Sequence, residues 1–270
     1  MREKLRKVIL VAAVIVFVVS AVQLVGIILS YQKGTSEYAK LEEEYIVTEM
    51  VAQTEPATEK VTIANEMLGV ETTETTTTEP PTVAEVASID FAALQAINPD
   101  CLGWIYIEGT MVSYPIVQAT NNDYYLSHTF NGTSNSAGAI FLECLLEDGL
   151  NSKNAIIYGH NMLNGSMFGT LKRYMKQSFY NQHPTCIIFV GETKYTYEIF
   201  AAYTVKGAVS DTYTYKFGSD ENFLAYIDKV KSYSDYNTGV SVGAGDKIVT
   251  LSTCTNRGAD RYVVQARRVE

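Results

Sequence analysis

Three residues of this chain, a cysteine, a histidine and an arginine, stand in contexts that could support acyl transfer. Cys254 closes the run Thr-Leu-Ser-Thr-Cys, Arg261 opens the run Arg-Tyr-Val-Val, and His160 ends the run Ile-Ile-Tyr-Gly-His. A thiol attacks a carbonyl as the thiolate, so it needs a neighbouring base or cation. The oxyanion formed by that attack needs a donor. His160 and Arg261 can fill these two roles.

The runs around these residues resemble the sortases, and class B sortases in particular. The resemblance rests on the Cys and Arg runs, on Tyr-Gly-His-Asn-Met at 158–162, and on the chain order His, Cys, Arg. It covers roughly residues 88–270. It implies that Cys254 is the nucleophile that forms a thioacyl enzyme and that His160 is the general acid and base. It implies that Arg261 holds the substrate backbone or the oxyanion.

Other residues compete for two of these roles. Arg257 is closer to Cys254 in sequence than Arg261 is, but Arg261 has the context that the family carries. His128 and His183 are expected to be ordinary polar or turn histidines. The remaining cysteines show no metal-like spacing, and we expect most of them to be buried as small apolar side chains. These cysteines are Cys101, Cys144 and Cys186.

Two further residues are candidates for substrate binding. Ser252 matches a position that lines the substrate groove of class B sortases, although it could also be a strand residue with no such role. Tyr158 precedes Gly159 and His160, and we expect it to line the same pocket. The chain has 19 tyrosines, so the residue type alone singles out no others.

The N-terminal part of the chain predicts a membrane anchor. Residues 8–29 carry no charged side chain, and 22 residues are enough to span a bilayer core of about 30 Å as a helix. Four basic residues precede this segment, which predicts that residues 1–7 are cytoplasmic and the rest of the chain is outside. A cleaved signal peptide is the alternative, but the apolar stretch is long for one and no Ala-x-Ala site follows.

Residues 30–87 differ from both neighbours in charge. They hold 12 acidic residues and 3 lysines, which gives this segment a net charge of −9. This equals the net charge of the entire chain. The Thr/Glu/Pro-rich tract at 71–81 cannot bury enough apolar surface to offset its ordering entropy. We therefore predict an acidic stalk with a short helix at residues 36–52 near the membrane, and a glycosylated stalk is the alternative. The chain has no sizeable basic patch, so nucleic acid is not an expected partner.

Residues 88–270 predict one mainly β domain. The pattern gives a short helix at 89–97 and about eight strands, which favours a barrel or a sandwich. Pro115 suggests that its strand lies at an edge. Helical patterns interrupt the strands at 168–180 and at 221–233, the second with Ser219 as its cap. The family resemblance implies a closed eight-stranded barrel with an N-terminal helix and an extra helix before the Cys strand.

The resemblance implies a membrane-anchored cysteine transpeptidase of a Gram-positive cell. It would cleave a C-terminal sorting signal after Thr, of Asn-Pro-x-Thr-Asn type or a variant such as Ser/Pro-Pro-x-Thr-Gly. It would then transfer the secreted protein to an amine of a lipid-linked peptidoglycan precursor, and no cofactor is implied. Three alternatives stay open: a pilus-assembling sortase with a Lys acceptor, a cysteine protease with water as acceptor, and a non-enzymatic stalked adhesin.

Overall fold

The computed structural model describes residues 2–52, 82–206, 211–254 and 260–269. Its helices are α1 (Arg2–Tyr45), α2 (Phe91–Ile97), α3 (Gln177–Tyr180) and α4 (Asp220–Tyr233). Its strands are β1 (Ile46–Ala52), β2 (Thr82–Ile89), β3 (Cys101–Ile107), β4 (Val112–Val117), β5 (Ile140–Leu142), β6 (Asn154–His160), β7 (Thr185–Val190), β8 (Thr193–Lys206), β9 (Ile248–Cys254) and β10 (Asp260–Arg268). Half of the predicted stalk, residues 53–81, lies outside this description.

Eight of the strands form a closed barrel in the order β10-β8-β7-β3-β4-β5-β6-β9. Two neighbouring pairs, β4 with β5 and β6 with β9, run parallel, and the other pairings are antiparallel. Closure leaves no barrel strand with an unpaired edge. The prediction of a closed eight-stranded barrel is therefore confirmed.

The expectation that Pro115 marks an edge strand is wrong. Strand β4 lies between β3 and β5, and Pro115 stands opposite Trp104 of β3. The pairing with β5 involves only Ile116 and Val117, so it begins after the proline. A missing N–H at position 115 therefore interrupts no rung of that short parallel ladder.

Helix α4 fills the connection between β8 and β9, where an extra helix is predicted. Its first turn is capped by Ser219, whose side chain accepts a hydrogen bond from the Asn222 amide at 3.2 Å. Its buried face packs on the outside of the barrel in a second apolar cluster. The weaker helical pattern at 168–180 forms the short 3₁₀ helix Leu171–Met175 followed by α3.

Helix α1 contains the predicted membrane span and continues well beyond it. It is long and apolar enough to cross a membrane by length and composition, and is a candidate anchor. The sequence predicts a stalk that begins at residue 30, with a short helix at 36–52, whereas the structure continues α1 to Tyr45 and forms strand β1 at Ile46–Ala52. Gly34, Tyr38 and Leu41 are buried against the barrel at helical spacing. Sequence reasoning missed this stripe of small and aromatic residues, although its spacing is a signal that could have found it.

A buried polar network fixes the chain between β8 and α4 to the barrel. Gln265 of β10 donates to the hydroxyls of Tyr226 and Thr250 at 2.7 and 2.9 Å, and Thr250 donates to Asn154 at 2.8 Å. The Tyr226 hydroxyl in turn donates to the Thr212 carbonyl at 2.7 Å. Because burial raises the pKa of Tyr226 to about 12, this hydroxyl keeps its proton and remains a donor.

The cysteines outside β9 differ in burial. Cys101 and Cys186 are buried as expected, and burial raises the pKa of each thiol to about 12. Cys144 is only half-buried, because it lies on the loop after β5 beside Glu143. Desolvation, followed by Glu143, raises the pKa of the Cys144 thiol as well. All three therefore favour the thiol over the nucleophilic thiolate at neutral pH.

We predict that Tyr226→Phe lowers the free energy of unfolding by about 1–3 kcal/mol, because it leaves buried polar groups without their partner. Tyr233→Phe is the matched control on the same helix. Tyr233 is 41% exposed, so a change within about 0.5 kcal/mol is expected there. Heat unfolding of the detergent-solubilised chain, followed by near-UV circular dichroism, measures both. Equal melting temperatures for the two variants would contradict a stabilising role of the network.

Candidate active site

The ends of β6 and β9 bring His160 and Cys254 together. The two strands are parallel, and their register runs from Asn154 opposite Ile248 to His160 opposite Cys254. Both residues are the last of their strands, so they lie at the same end of the barrel. Two residues that are far apart in sequence are therefore backbone neighbours.

Arg261 lies at the same end of the barrel, on the next strand. In the antiparallel pairing of β10 with β9, Val263 stands opposite Ser252. The Tyr262 amide also donates to the Thr253 hydroxyl at 2.9 Å. The register, extended by two residues, brings Arg261 opposite Cys254. The competing Arg257 is in the 255–259 connection, outside the described residues.

The imidazole of His160 is buried, and its Nε2 is hydrogen-bonded to the backbone of Leu126. Its exposed fraction is 4%, and its Nε2 lies 2.7 Å from the Leu126 carbonyl oxygen. A carbonyl oxygen can only accept, so we assign the proton to Nε2. In the neutral ring, Nδ1 then carries the lone pair. The hydrogen bond to Leu126 thus selects which nitrogen can take up a proton.

The loop that carries Leu126 packs closely against the histidine ring. Gly138, at the end of this loop, has φ of +59°, in the left-handed region that favours glycine. A Cβ atom there would lie 2.4 Å from the Tyr125 carbonyl oxygen and 3.1 Å from Cδ2 of His160. The glycine therefore permits both the turn and the close approach to the ring.

Ser252 is fully buried rather than open to solvent. Its hydroxyl lies 2.9 Å from the hydroxyl of Tyr213, in the 3₁₀ turn Asp211–Tyr213 before α4. Sequence reasoning did not single out Tyr213. No local signal distinguishes it among the tyrosines of this chain, because its place beside Ser252 results from the connection folding back onto the barrel.

Tyr158 lies half-buried between a carboxylate and Tyr213. Its hydroxyl donates to Oε2 of Glu143 at 3.1 Å, and its ring centroid is 6.1 Å from that of Tyr213. Oε1 of Glu143 accepts a hydrogen bond from the Asn122 side chain at 2.8 Å. Glu143 is 8% exposed and was also missed by the sequence analysis. The Tyr158 and Tyr213 rings lie next to the ends of β6 and β9, and we call the surface that they form the wall of the candidate active site.

The two other histidines stand apart from the pair formed by His160 and Cys254. His128 is exposed and stacks on the ring of Tyr124 with centroids 4.2 Å apart. His183 packs against Phe179, and its nearest carboxylate is that of Glu108 at 3.9 Å. Neither lies on a strand that pairs with β9. In the part of the chain that the structure describes, no cluster of three or more His, Cys, Asp or Glu could hold a metal ion.

The sequence matches the Sortase domain family over residues 105–269, more than half of the chain. It is 40% identical over 181 residues to Sortase B of Listeria monocytogenes, an alignment covering 65% of this chain and 72% of that protein. Sortase B of Staphylococcus aureus is 34% identical over 184 residues, which covers 67% of this chain and 75% of that protein.

Solved structures agree with these matches. Sortase B from Bacillus anthracis in complex with AAEK1 has a TM-score of 0.70 at 31% identity, covering 90% of this chain and 100% of that one. A Staphylococcus aureus sortase B–substrate complex has a TM-score of 0.64 at 33% identity, covering 67% and 84%. A sortase B complexed with triglycine has a TM-score of 0.63 at 33% identity, covering 67% and 85%. The chain therefore belongs to the sortase family, within class B, and the enzyme is a sortase-type cysteine transpeptidase.

Proposed function

We propose that this enzyme cleaves a C-terminal sorting signal of a secreted protein after Thr and transfers the protein to an amine of a peptidoglycan precursor. The observation that carries the proposal is the register of β6 and β9, in which His160 stands opposite Cys254. The similar sortase B structures with a substrate and with triglycine support a peptide donor and an amine acceptor. The signal is of Asn-Pro-x-Thr-Asn type or a Ser/Pro-Pro-x-Thr-Gly variant.

Cys254 acts as the nucleophile in this proposal. As the thiolate, it attacks the carbonyl carbon of Thr in the sorting signal, and the C–N bond breaks after the tetrahedral intermediate forms. The product is a thioacyl enzyme and a released amine. Side chains alternate along a strand, so position 254 is expected to share the face of Ser252. The other cysteines are poorer candidates, since the pKa of Cys101, Cys144 and Cys186 is raised.

His160 moves the protons of both half-reactions. The imidazolium donates a proton to the leaving amine, and the neutral ring then takes a proton from the incoming amine. Because Nε2 is bound to the Leu126 carbonyl, Nδ1 is the nitrogen that exchanges the proton. The close packing of Gly138 against the ring supports a fixed orientation for this step.

Arg261 stabilises the oxyanion or holds the substrate backbone. The extended register of β9 and β10 supports its position beside Cys254. A guanidinium is charged at any physiological pH and offers several N–H donors in a fixed plane. Its donors can therefore stabilise the negative charge that develops on the carbonyl oxygen.

Ser252 and Tyr158 are proposed to contribute to the substrate groove. Tyr158 presents part of its ring at the wall beside β6 and β9. Ser252 is buried and hydrogen-bonded to Tyr213. Ser252 would therefore act on the substrate by orienting the Tyr213 hydroxyl, or would contact the substrate only if the Tyr213 ring moved. The buried network behind Thr212 restrains this part of the wall.

The proposed location is the cell membrane, with a single span. We propose cytoplasmic residues 1–7, a span at 8–29, a connecting segment at 30–87 and a catalytic domain at 88–270 outside the cell. The length and hydropathy of α1 support the span. The basic residues before it support an internal N-terminus.

Cleavage of model peptides tests the donor, and the product identifies the acceptor class. Detergent-solubilised full chain is incubated with peptides carrying Asn-Pro-x-Thr-Asn, Ser-Pro-x-Thr-Gly or Leu-Pro-x-Thr-Gly, together with triglycine. We expect cleavage after Thr and an amide-linked adduct, identified by mass. Cys254→Ala should reduce the rate about a thousandfold or more, because no thioacyl intermediate can form.

The two alternative enzymes, which differ from the proposed one in the acceptor, predict other products of the peptide cleavage. Free acid alone, with no adduct to any amine, would support a cysteine protease. When a lysine-containing peptide is added beside triglycine, preference for its side-chain amine would support a pilus-assembling sortase. Equal cleavage by the Cys254→Ala variant would contradict the proposed nucleophile.

The role of His160 is tested against the exposed His128. His160→Ala is expected to lower kcat by about 10²–10⁴-fold, because both proton transfers lose their catalyst. His128→Ala should stay within about threefold of the parent, as expected for an exposed histidine whose ring stacks on Tyr124. Steady-state turnover of the best peptide, with triglycine as the acceptor, measures kcat for both variants. Equal losses in the two variants would point to a general effect on the loop around Leu126 instead.

The role of Arg261 is tested against Arg257. Arg261→Ala is expected to lower kcat/KM by about 10²–10³-fold, the usual effect of removing an oxyanion donor. Arg261→Lys keeps the charge but not the planar fork, so it should restore only part of the activity. Arg257→Ala should change kcat/KM little. A larger loss for Arg257→Ala than for Arg261→Ala would reverse the assignment.

A further inference from the structure

The candidate membrane anchor and the helix that packs on the barrel are one continuous element. Helix α1 runs without a break from Arg2 to Tyr45. The proposed span ends at Leu29, and the next residue, Ser30, already contacts the catalytic domain. A continuous helix transmits position and direction, which a flexible stalk does not.

The barrel holds α1 by contacts that begin at the end of the span. The Asn135 side-chain amide donates to the Ser30 carbonyl at 2.9 Å. One turn later, a Cβ at Gly34 would lie 3.2 Å from Cβ of Ala137, so backbone and loop are in close contact there. Two turns later, the Tyr38 hydroxyl donates to the Gly138 carbonyl at 2.7 Å.

These contacts connect the anchor to the candidate active site. Gly138 is the residue whose backbone lies against the ring of His160. Leu126, which binds Nε2 of His160, begins the loop that Gly138 ends. The helix that contains the candidate span therefore packs directly on the loop that holds the proposed catalytic histidine.

The contact positions on α1 also give the distance of the contacting barrel loops from the end of the proposed membrane span. A helix rises about 1.5 Å per residue, so Thr35 lies about 9 Å and Tyr38 about 14 Å beyond Leu29 along the axis. Headgroup and interfacial regions occupy about 5–8 Å on each side of a 30 Å core. The loops that contact residues 30–35 of α1 are therefore within reach of the lipid headgroups.

One of these loops exposes an apolar side chain. Leu163, in the loop directly after β6, is 91% exposed. The next residue, Asn164, donates to the Thr35 hydroxyl at 3.5 Å, so this loop lies beside the membrane-near turn of α1. Met111, 47% exposed, lies on the same side, with its sulfur 3.2 Å from the Cβ position of Gly165. The exposed Lys33 in this turn adds a positive charge.

We propose that the active-site end of the barrel rests on the outer surface of the membrane that α1 spans, with Leu163 inserted into the lipid headgroup region. The inference rests on the proposed membrane anchoring. The occupant of this surface is a phospholipid bilayer, because the helix that packs on these loops is the one that leaves the bilayer. Cys254 and His160 then work close to the membrane plane, where a lipid-linked amine acceptor would be presented.

Fluorescence quenching in vesicles tests the inference. Full chain carrying Leu163→Trp is reconstituted into vesicles of phosphatidylcholine and phosphatidylglycerol with brominated acyl chains. The introduced indole is expected to lose about half of its emission, because interfacial side chains reach about 5–10 Å into the headgroup and acyl boundary. The native Trp104 is fully buried in the barrel, and its signal is subtracted using the parent chain.

Leu145→Trp is the matched control. Leu145 is 59% exposed and lies on the connection from β5 to β6, toward the end of the barrel opposite His160. Its introduced indole should not be quenched. Equal quenching at positions 145 and 163, or none at either, in a chain that floats with the vesicles would overturn the docking proposal and leave the anchoring intact. A chain that does not float would overturn the anchoring and the docking with it.

A second pair of variants tests whether α1 holds the domain in this position. In the Leu163→Trp chain, Gly34→Leu should reduce the quenching, because the added side chain collides with Ala137 and Asn135. Gly26→Leu is the control, since no atom lies within 4 Å of its Cβ position. Unchanged quenching in Gly34→Leu would contradict the inference that α1 holds the barrel in this position on the membrane. Cleavage of a soluble peptide, measured on the same samples, reports the transpeptidase activity separately.

Discussion

The pairing of β6 with β9 is the constraint on which the candidate active site depends. Parallel strands cannot be joined by a tight turn, so each needs a long connection. The connection from β6 to β9 contains β7, β8 and α4, and the barrel closes only when β9 returns beside β6. The register then puts His160 opposite Cys254 at the shared end of the strands. A slip of one residue would turn the side chains of one strand to the other face and separate them.

The buried polar network explains how this register is held. Asn154 at the start of β6 accepts a hydrogen bond from Thr250 of β9, and Thr250 accepts one from Gln265 of β10. These groups are fully buried, so any other register would leave donors and acceptors without partners. The same network reaches Thr212 through Tyr226 and so fixes the turn that carries Tyr213. The wall beside the candidate active site is thus tied to the strands that carry the proposed catalytic residues.

Helix α1 changes how the segment between the candidate membrane span and the barrel is understood. A solvated stalk with a separate short helix would leave the domain free to move, whereas residues 30–45 continue the helix of the candidate span and pack on the barrel. The packing uses Gly34, Tyr38 and Leu41, spaced so that they share one helix face. A polar segment can therefore be an ordered connection when a few positions match a surface on the domain. The acidic side chains of this segment remain mostly on its solvent face.

Local patterns in the sequence predicted the candidate chemistry and most of the fold. The contexts of Cys254, His160 and Arg261, the apolar span and the eight strands are local patterns, which depend on neighbouring residues and strand periodicity alone. The tertiary structure decided which of these residues meet, the place of Pro115 inside the barrel, and the contacts that bury Tyr213 beside Ser252. It also decided that α1 packs on the loop that binds the histidine. These features arise between segments distant in the chain, and strand register and burial, which no local pattern encodes, select them.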